Sequence, residues 1–367
     1  MFLGCVTSPE GRHRKNVKYL VHDLKPFEEH IRRLFELAAG CLSQEAEAEA
    51  ESKQSTDASD ESRCDPTSAL FQHKTPVPMM GRQTYRMWKA TLELSTGFVF
   101  KSNLLDKPKT LHFFPLEHFP PSVTSGFQVQ GYDHLLQYLV HFLQVYFPNL
   151  EVILEPLHDV NTDLELISRY HSKTNKKQFL VTDLYAKLHK LTGTQKKDFI
   201  LGFTWTDLYP KEELNFVLGE ASFQHRCAVL SFGRYEPLSY EARDGGCMME
   251  DVDAENENEE ESIVVDGDLL WKLLRVATHE TSHLFGLNHC VFFECSMNES
   301  KSVSEALAQP LVLCPVCLRK MQRFLKFDVL ARYRGLLGTC QTLQDAYPSD
   351  GLAKTIDWLQ RCIEFLS

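Results

Sequence analysis

One stretch in the C-terminal half limits what this chain can fold into more than any other. Leu269–Phe285 is apolar at helical spacing, and Asp266-Gly267-Asp268 before it offers capping chemistry. Within it stands His279-Glu280-Thr281-Ser282-His283, followed at once by Gly286 and His289. Histidines four residues apart on a helix lie about 6 Å apart on one face, close enough to share a metal through imidazole nitrogen. Glu280 is about 100° around the helix from His279, so it is better placed to address a water at such a metal than to bind the metal itself. Gly286 can adopt the positive φ that ends the helix sharply and lets His289 return as a third ligand. Three imidazoles leave a fourth position open, the arrangement of a catalytic rather than a structural zinc. A core helix with incidental surface histidines would require neither Gly286 nor His289 at these spacings.

A second cluster follows without a gap. Cys290 and Cys295 are separated by four residues, and Cys314-Pro315-Val316-Cys317 follows after an 18-residue spacer. Two such pairs predict a closed structural zinc site with four thiolate ligands, hence two Zn2+ per chain. A redox pair or four buried thiols are the alternatives, and redox chemistry at the last pair would leave Cys290 and Cys295 unexplained. Cys5, Cys41, Cys64, Cys227, Cys247, Cys340 and Cys362 show no ligand spacing and are read as free thiols.

The net charge of −11 comes from two short runs. Residues 45–61 hold seven acids against Lys53, and residues 250–261 hold eight acids and no base. Such runs cannot bury apolar surface and are expected to be solvated. The remainder carries 38 bases and 35 acids, which gives no electrostatic case for nucleic acid. No stretch approaches 18 consecutive apolar residues, so no membrane span is expected. Met1–Val6 is too short for an export signal and has its bases behind it, at Arg12, Arg14 and Lys15. With eleven cysteines, an odd number, a reduced compartment is expected, cytoplasmic or nuclear.

Along the chain, Val17–Leu42 has helical apolar spacing and predicts one amphipathic helix. Residues 63–106 show few clear elements. Strands are expected at Thr110–Leu116, Glu151–Leu157 and Asp198–Trp205, and helices at Leu135–Phe147 and Phe179–Leu191. Asn215–Ser222 and Arg226–Phe232 read as a hairpin. Residues 314–337 and 352–366 predict two further helices. The sum is an α/β (α+β) chain with a mixed, mostly parallel twisted sheet and packed helices. The expected domains are an N-terminal helix (1–43), an acidic linker (44–67), an extension without assigned role (68–108), a catalytic domain (109–340, with an acidic insertion at 241–266) and a C-terminal helical tail (341–367).

His279 through Cys317, read as HExxHxxGxxHC-x4-C-x-M-x16-C-x-x-C, resembles the archaemetzincins, and in particular their eukaryotic members. Thr206–Pro210, Asn215–Gly219, Ser231–Tyr235 and Pro310-Leu311 match as well, so the likeness spans about residues 110–340. It leaves out residues 45–51 and 250–261. The resemblance implies a metzincin-like sheet and catalytic helix, with a C-terminal helical subdomain carrying the four-cysteine zinc site. It also implies that Met297 is the Met-turn residue beneath the catalytic zinc. Without it, Met297 reads as a core methionine. It further implies that an antiparallel edge strand, Asn215–Ser222 or Arg226–Phe232, borders the cleft and pairs with extended substrate.

The function these features predict is zinc-dependent peptide-bond hydrolysis. His279, His283 and His289 hold the catalytic zinc and Glu280 acts as general base. Tyr235 and Arg234 are the available, unspecific candidates for oxyanion stabilisation. The substrate is expected to be a peptide or protein. The resemblance points toward aminopeptidase action on short peptides, while the residues themselves leave aminopeptidase and endopeptidase action open. The alternative is a zinc-stabilised interaction protein with little or no peptidase activity, against which Glu280 argues. Oligomeric state is not legible.

Overall fold

The computed structural model describes residues 9–42, 70–74, 77–78, 80–99, 104–119, 121–160, 165–172, 175–191, 198–231, 233, 265–300 and 302–367. Both acidic runs, together with Cys5, Cys64, Cys247, Arg234 and Tyr235, lie outside them.

Five strands form the main sheet: β1 (Lys109–Pro115), β2 (Leu150–Leu154), β5 (Phe199–Thr204), β7 (Gly219–Ser222) and β8 (Cys227–Ser231). Their spatial order is β2-β1-β5-β8-β7. The first four are parallel, and β7 closes one edge antiparallel to β8, with Gly219 opposite Leu230. Every residue of β5 and β8 is buried, as a parallel strand covered on both faces requires. The mixed, mostly parallel sheet is thus as expected from the apolar runs, and the hairpin falls where the sequence placed it.

Helices cover both faces. On one lie α4 (Leu135–Tyr146) and α6 (Gly267–Leu284); on the other lies α5 (Val181–Leu191). Gly202 in β5 lets the α5 face close up, because a Cβ there would stand 2.9 Å from Leu116 and 3.1 Å from Leu188. The side chain of Asp266 accepts from the Leu269 N–H at 2.8 Å, so α6 starts where the capping signal placed it. A second, unforeseen sheet of three short strands, β3 (Ser168–Tyr170), β4 (Lys177–Leu180) and β6 (Asp207–Tyr209), leads into α5. The helix expected from Phe179 therefore begins at Val181, after a strand.

The N-terminal segment is two helices, α1 (Pro9–Val21) and α2 (Glu29–Glu36), rather than one from Val17 to Leu42. His22 at φ +66° turns the chain, and Pro26 disfavours helix at the residue before it. Leu20, Leu24, Ile31 and Leu34 are nonetheless all buried, so the apolar spacing identified the core and not the continuity of the helix. These side chains join the same hydrophobic cluster as α6. Residues 68–108 contain α3 (Tyr85–Val99), whose Trp88 is fully buried. The helix expected over 314–337 is divided into α8 (Pro315–Leu325) and α9 (Val329–Ala346) by Lys326 in the left-handed conformation, with Asp328 capping α9. A short α7 (Val303–Ala308) precedes them, and α10 (Asp350–Leu366) packs on α9 and α6. Helix α9 runs through residue 340, the expected end of the catalytic domain, and Trp358 and Leu359 of α10 belong to the main core. Among the described residues no helix is long and apolar enough to cross a membrane.

Candidate metal centre and cleft

Helix α6 carries His279, Glu280 and His283 and ends in a glycine cap. The Leu287 N–H bonds the Ser282 carbonyl and the Gly286 N–H bonds that of His283, with Gly286 at φ +78°. This reversal delivers His289 to the helix face. One ring nitrogen from each of His279, His283 and His289 lies within 4.8 Å of the others, and Nε2 of His279 and His283 are 3.0 Å apart. Tetrahedral zinc with Zn–N near 2.0–2.1 Å needs ligand nitrogens about 3.4 Å apart, so the donor set fits such an ion.

Backbone carbonyls orient two of the rings. Nδ1 of His279 lies 2.6 Å from the Ser296 carbonyl, and Nδ1 of His283 lies 2.6 Å from that of Leu287. A carbonyl only accepts, so each Nδ1 carries the proton and each Nε2 keeps its lone pair for a metal. Burial holds the pKa of all three histidines below the ordinary value: well below for His279, down to about 4 for His283, and lowered for His289, where Glu299 opposes the shift. Neutral imidazoles are what a metal requires.

Glu280 is buried, at 6% exposure. Burial, helped by nearby Glu220 and opposed by Arg275, pushes its carboxyl up to about 8. A dication held by the histidines would draw it back down. The carboxylate rests against β7: a Cβ on Gly219 would fall 2.7–2.8 Å from its side chain. The cleft here has a volume of about 410 Å³ and is bordered by Leu214–Gly219, by Arg275, His279 and Glu280 of α6, and by His289, Glu299 and Gln309. Of the two segments expected at its border, Asn215–Ser222 lines it with residues 215–219, while β8 is interior to the sheet. Sequence reading did not single out Arg275 or Gln309. Arg275 Nη1 donates to Gln309 Oε1 at 2.7 Å, and Arg275 stands four residues before His279, a spacing that could have marked it as sharing that face.

The four cysteines form the second cluster. Cys290, Cys295, Cys314 and Cys317 are at most 5% exposed, and their sulfurs lie within 4.8 Å of one another. Cys290 and Cys314 Sγ are 3.7 Å apart, close to the edge of about 3.8 Å that Zn–S bonds of 2.3 Å imply for a tetrahedron. The four thiols are linked by shared hydrogen bonds. Those from Cys295, Cys314 and Cys317 hold Cys290 well below the usual thiol value; burial holds Cys314 well above it, and the hydrogen bond with Cys290 does the same for Cys317. Asn298 ties the loop, accepting from the Cys295 N–H and donating to the carbonyls of Cys290 and Phe293. Cys41, Cys227, Cys340 and Cys362 are buried and in no disulfide, as expected, and the Cys41 thiol donates to the Ala38 carbonyl at 3.2 Å.

The clusters share a loop. His289 and Cys290 are neighbours, and the Cys290 N–H bonds the Met297 carbonyl at 2.6 Å, one residue beyond the carbonyl that orients His279. Met297 is fully buried. Tyr146 of α4 pins the same place, donating to the Leu311 carbonyl at 3.0 Å with Ser296 Oγ at 3.4 Å.

This helix, reversal and cysteine-bearing loop are the segment matched by the sequence profile of Peptidase family M54, over residues 265–323. The chain is 31% identical over 211 residues to Archaemetzincin-2 of Macaca fascicularis, covering 56% of this chain and 58% of that protein. It is 31% identical over 169 residues to human Archaemetzincin-1, covering 43% and 33%. The crystal structure of archaemetzincin (AmzA) from Archaeoglobus fulgidus has 24% identity and a TM-score of 0.38, covering 57% of this chain and 99% of that one. Over this segment and its flanks the chain is thus similar to the archaemetzincins. It spans a little under three fifths of the length of the macaque Archaemetzincin-2 and seven tenths of that of the mouse one.

Proposed function

We propose that this chain is a zinc-dependent metallopeptidase that hydrolyses peptide bonds, with His279, His283 and His289 holding the catalytic zinc and Glu280 as general base. The observation that carries the reading is the convergence of three neutral imidazoles, two presenting Nε2 because their Nδ1–H is taken by a carbonyl, beside a carboxylate lining the same cleft. Zinc held there would supply a Lewis acid that lowers the pKa of a water toward about 7 and polarises the scissile carbonyl. Glu280 takes the proton from the attacking water and passes it to the leaving amine. Leu214–Gly219 and edge strand β7 offer backbone groups along which an extended peptide can lie. Met297 serves as the Met-turn residue. Cys290, Cys295, Cys314 and Cys317 hold a second, structural zinc.

Action on the amino termini of short peptides is the finer form of this reading. It is supported by the family likeness alone, since the cleft lining fixes neither end of a substrate. Buried cysteines outside any disulfide fit a reducing compartment, cytoplasmic or nuclear. Metal analysis with a peptide-library cleavage assay on the native chain and Glu280→Gln tests the reading. Two zincs per chain and chelator-sensitive cleavage that Glu280→Gln abolishes are expected. A chain with a full three-histidine zinc that cleaves nothing would instead favour a zinc-stabilised interaction protein.

A further inference from the structure

The turn that reverses the chain after α6 is gripped from outside the catalytic segment. Gln83 precedes α3 in sequence and is 5% exposed. Its Nε2 donates to the Gly286 carbonyl at 2.9 Å, and its Oε1 accepts from the Asn288 N–H at 3.1 Å. One side chain thus holds both peptide groups flanking Leu287. Leu287 is the residue whose carbonyl orients His283, and His289 follows two positions later. Buried Lys320 of α8 donates to both the backbone and side-chain oxygens of Gln83, and Lys320 lies three residues beyond Cys317. Trp88 of α3 donates its indole N–H to the Phe285 carbonyl at 3.0 Å, adding a fifth hydrogen bond to this bracket.

We propose that Gln83, supported by Trp88, is a positioning residue for the three-histidine centre. It fixes the Gly286–Asn288 turn so that the Leu287 carbonyl meets His283 and His289 arrives at ligand distance. The physical argument is that a glycine reversal is soft and its carbonyls can rotate. The Gln83 amide satisfies a donor and an acceptor of that turn at once, within a buried network in which a lost partner is costly. Lys320 fixes the Gln83 amide in turn, joining the helix that carries Cys317 to the turn that carries His289. The arm at 80–99 is therefore part of the metal centre, although it lies some 200 residues away in sequence. This inference rests on the proposed three-histidine zinc site.

The test is zinc affinity rather than turnover. The full chain, with its four-cysteine metal retained, is titrated by chelator competition at the three-histidine site in native, Gln83→Met, Gln83→Glu and Trp88→Phe forms. Cobalt absorption reports the geometry, and thermal melting of the metal-free site reports stability. Gln83→Met, which matches the size and removes both side-chain hydrogen bonds, is expected to weaken zinc about tenfold or more and to perturb the cobalt bands. Gln83→Glu keeps the oxygens facing Lys320 and Asn288 but sets a carboxylate against the Gly286 carbonyl, and an intermediate loss is expected. Should Gln83→Met fail to fold, weakened zinc in Gln83→Glu and Trp88→Phe carries the same result. Folded variants with lowered melting temperatures but unchanged zinc affinity and cobalt spectrum would overturn the inference alone. A native chain that loses no metal on His279→Ala would overturn it together with the zinc-site reading.

Discussion

The two candidate ligand clusters meet at the His289–Cys290 peptide, yet they are built in opposite ways. The three histidines come from eleven consecutive residues, a helix and its glycine cap, and they open on a cleft of about 410 Å³. The four cysteines come from two short segments either side of an 18-residue spacer, and all are buried. Local backbone geometry preforms the first cluster, and carbonyls hold two of its three rings. In the second, four thiols crowd one buried volume, an arrangement that a metal relieves by replacing their protons. An open site can exchange water, substrate and metal; a closed one couples its metal to folding.

The largest effect should therefore come from the closed cluster. Structural zinc contributes about 10–16 kcal/mol of apparent binding energy at neutral pH, comparable with the whole stability of a typical domain. Cys317→Ser is expected to yield insoluble chain, or a folded chain with a melting temperature lower by more than 10 °C and with zinc lost from both sites, since His289 and Ser296 hang on the same loop. Metal content and melting temperature decide it. If both stay at native values, the four thiols are ordinary core cysteines and the contrast disappears.

At the open cluster the counterpart is Glu280→Gln. Glutamine keeps size and helix propensity, and Glu280 is not placed as a ligand, so zinc content and melting temperature should hardly move. Losing the proton acceptor should cost about 10²–10⁴-fold in kcat. Native-like turnover in this variant would remove the general-base role. Gly219→Ala tests the same carboxylate more gently. A methyl group 2.7–2.8 Å from the Glu280 side chain must push it aside, and a loss of about tenfold in kcat with unchanged zinc content is expected. An alanine variant as active as the native chain would show that Glu280 needs no support from β7.

Protonation separates the clusters on a smaller scale. His283 has a folded pKa of about 4 against 6.5 unfolded. Between these values the unfolded chain binds a proton that the folded chain refuses, so stability falls as pH drops through that window. In metal-free protein this one ring accounts for up to about 1.4 kcal/mol per pH unit. Denaturant melts at pH 7, 6 and 5 should show a slope that His283→Gln reduces. A slope unaffected by that change would mean that His283 titrates normally.

What the sequence made legible follows the same division between local and distant. The Asp266 cap, the helical period, the Gly286 reversal and the cysteine spacing are each written within a few residues, and each appears at the expected place. The all-buried strands β5 and β8 announced themselves as apolar runs. The Gln83 bracket could not be read that way, because its partners lie 203–237 residues off and nothing local marks a glutamine that will be buried. The break at His22 escaped for a related reason: tertiary packing of Leu20 and Leu24 can reward helical spacing across a turn as well as within a helix. The three-residue strands of the second sheet are too short to show any period.

The smallest expected effect concerns residues 250–261, which join β8 to α6 in sequence and hold eight acids without a base. A run of exposed like charges acts through solvent and its ions. Over about 8–10 Å of Debye length at ordinary ionic strength its field is screened from anything deeper, so the buried cysteines should not sense it. The cleft is open, and acidic peptides approaching it would be repelled if the run lay near its mouth. A solvated insertion with no further role is the simpler reading, because a run of like charges gains nothing by packing. Deleting 250–261 should leave cleavage of a neutral peptide within a few-fold of native, leave zinc at the cysteines untouched, and leave melting nearly unchanged. A large rise in kcat/KM for acidic peptides that fades as salt is added would assign the run a gating role at the open site. Loss of the cysteine-bound zinc would contradict the separation of the two clusters itself.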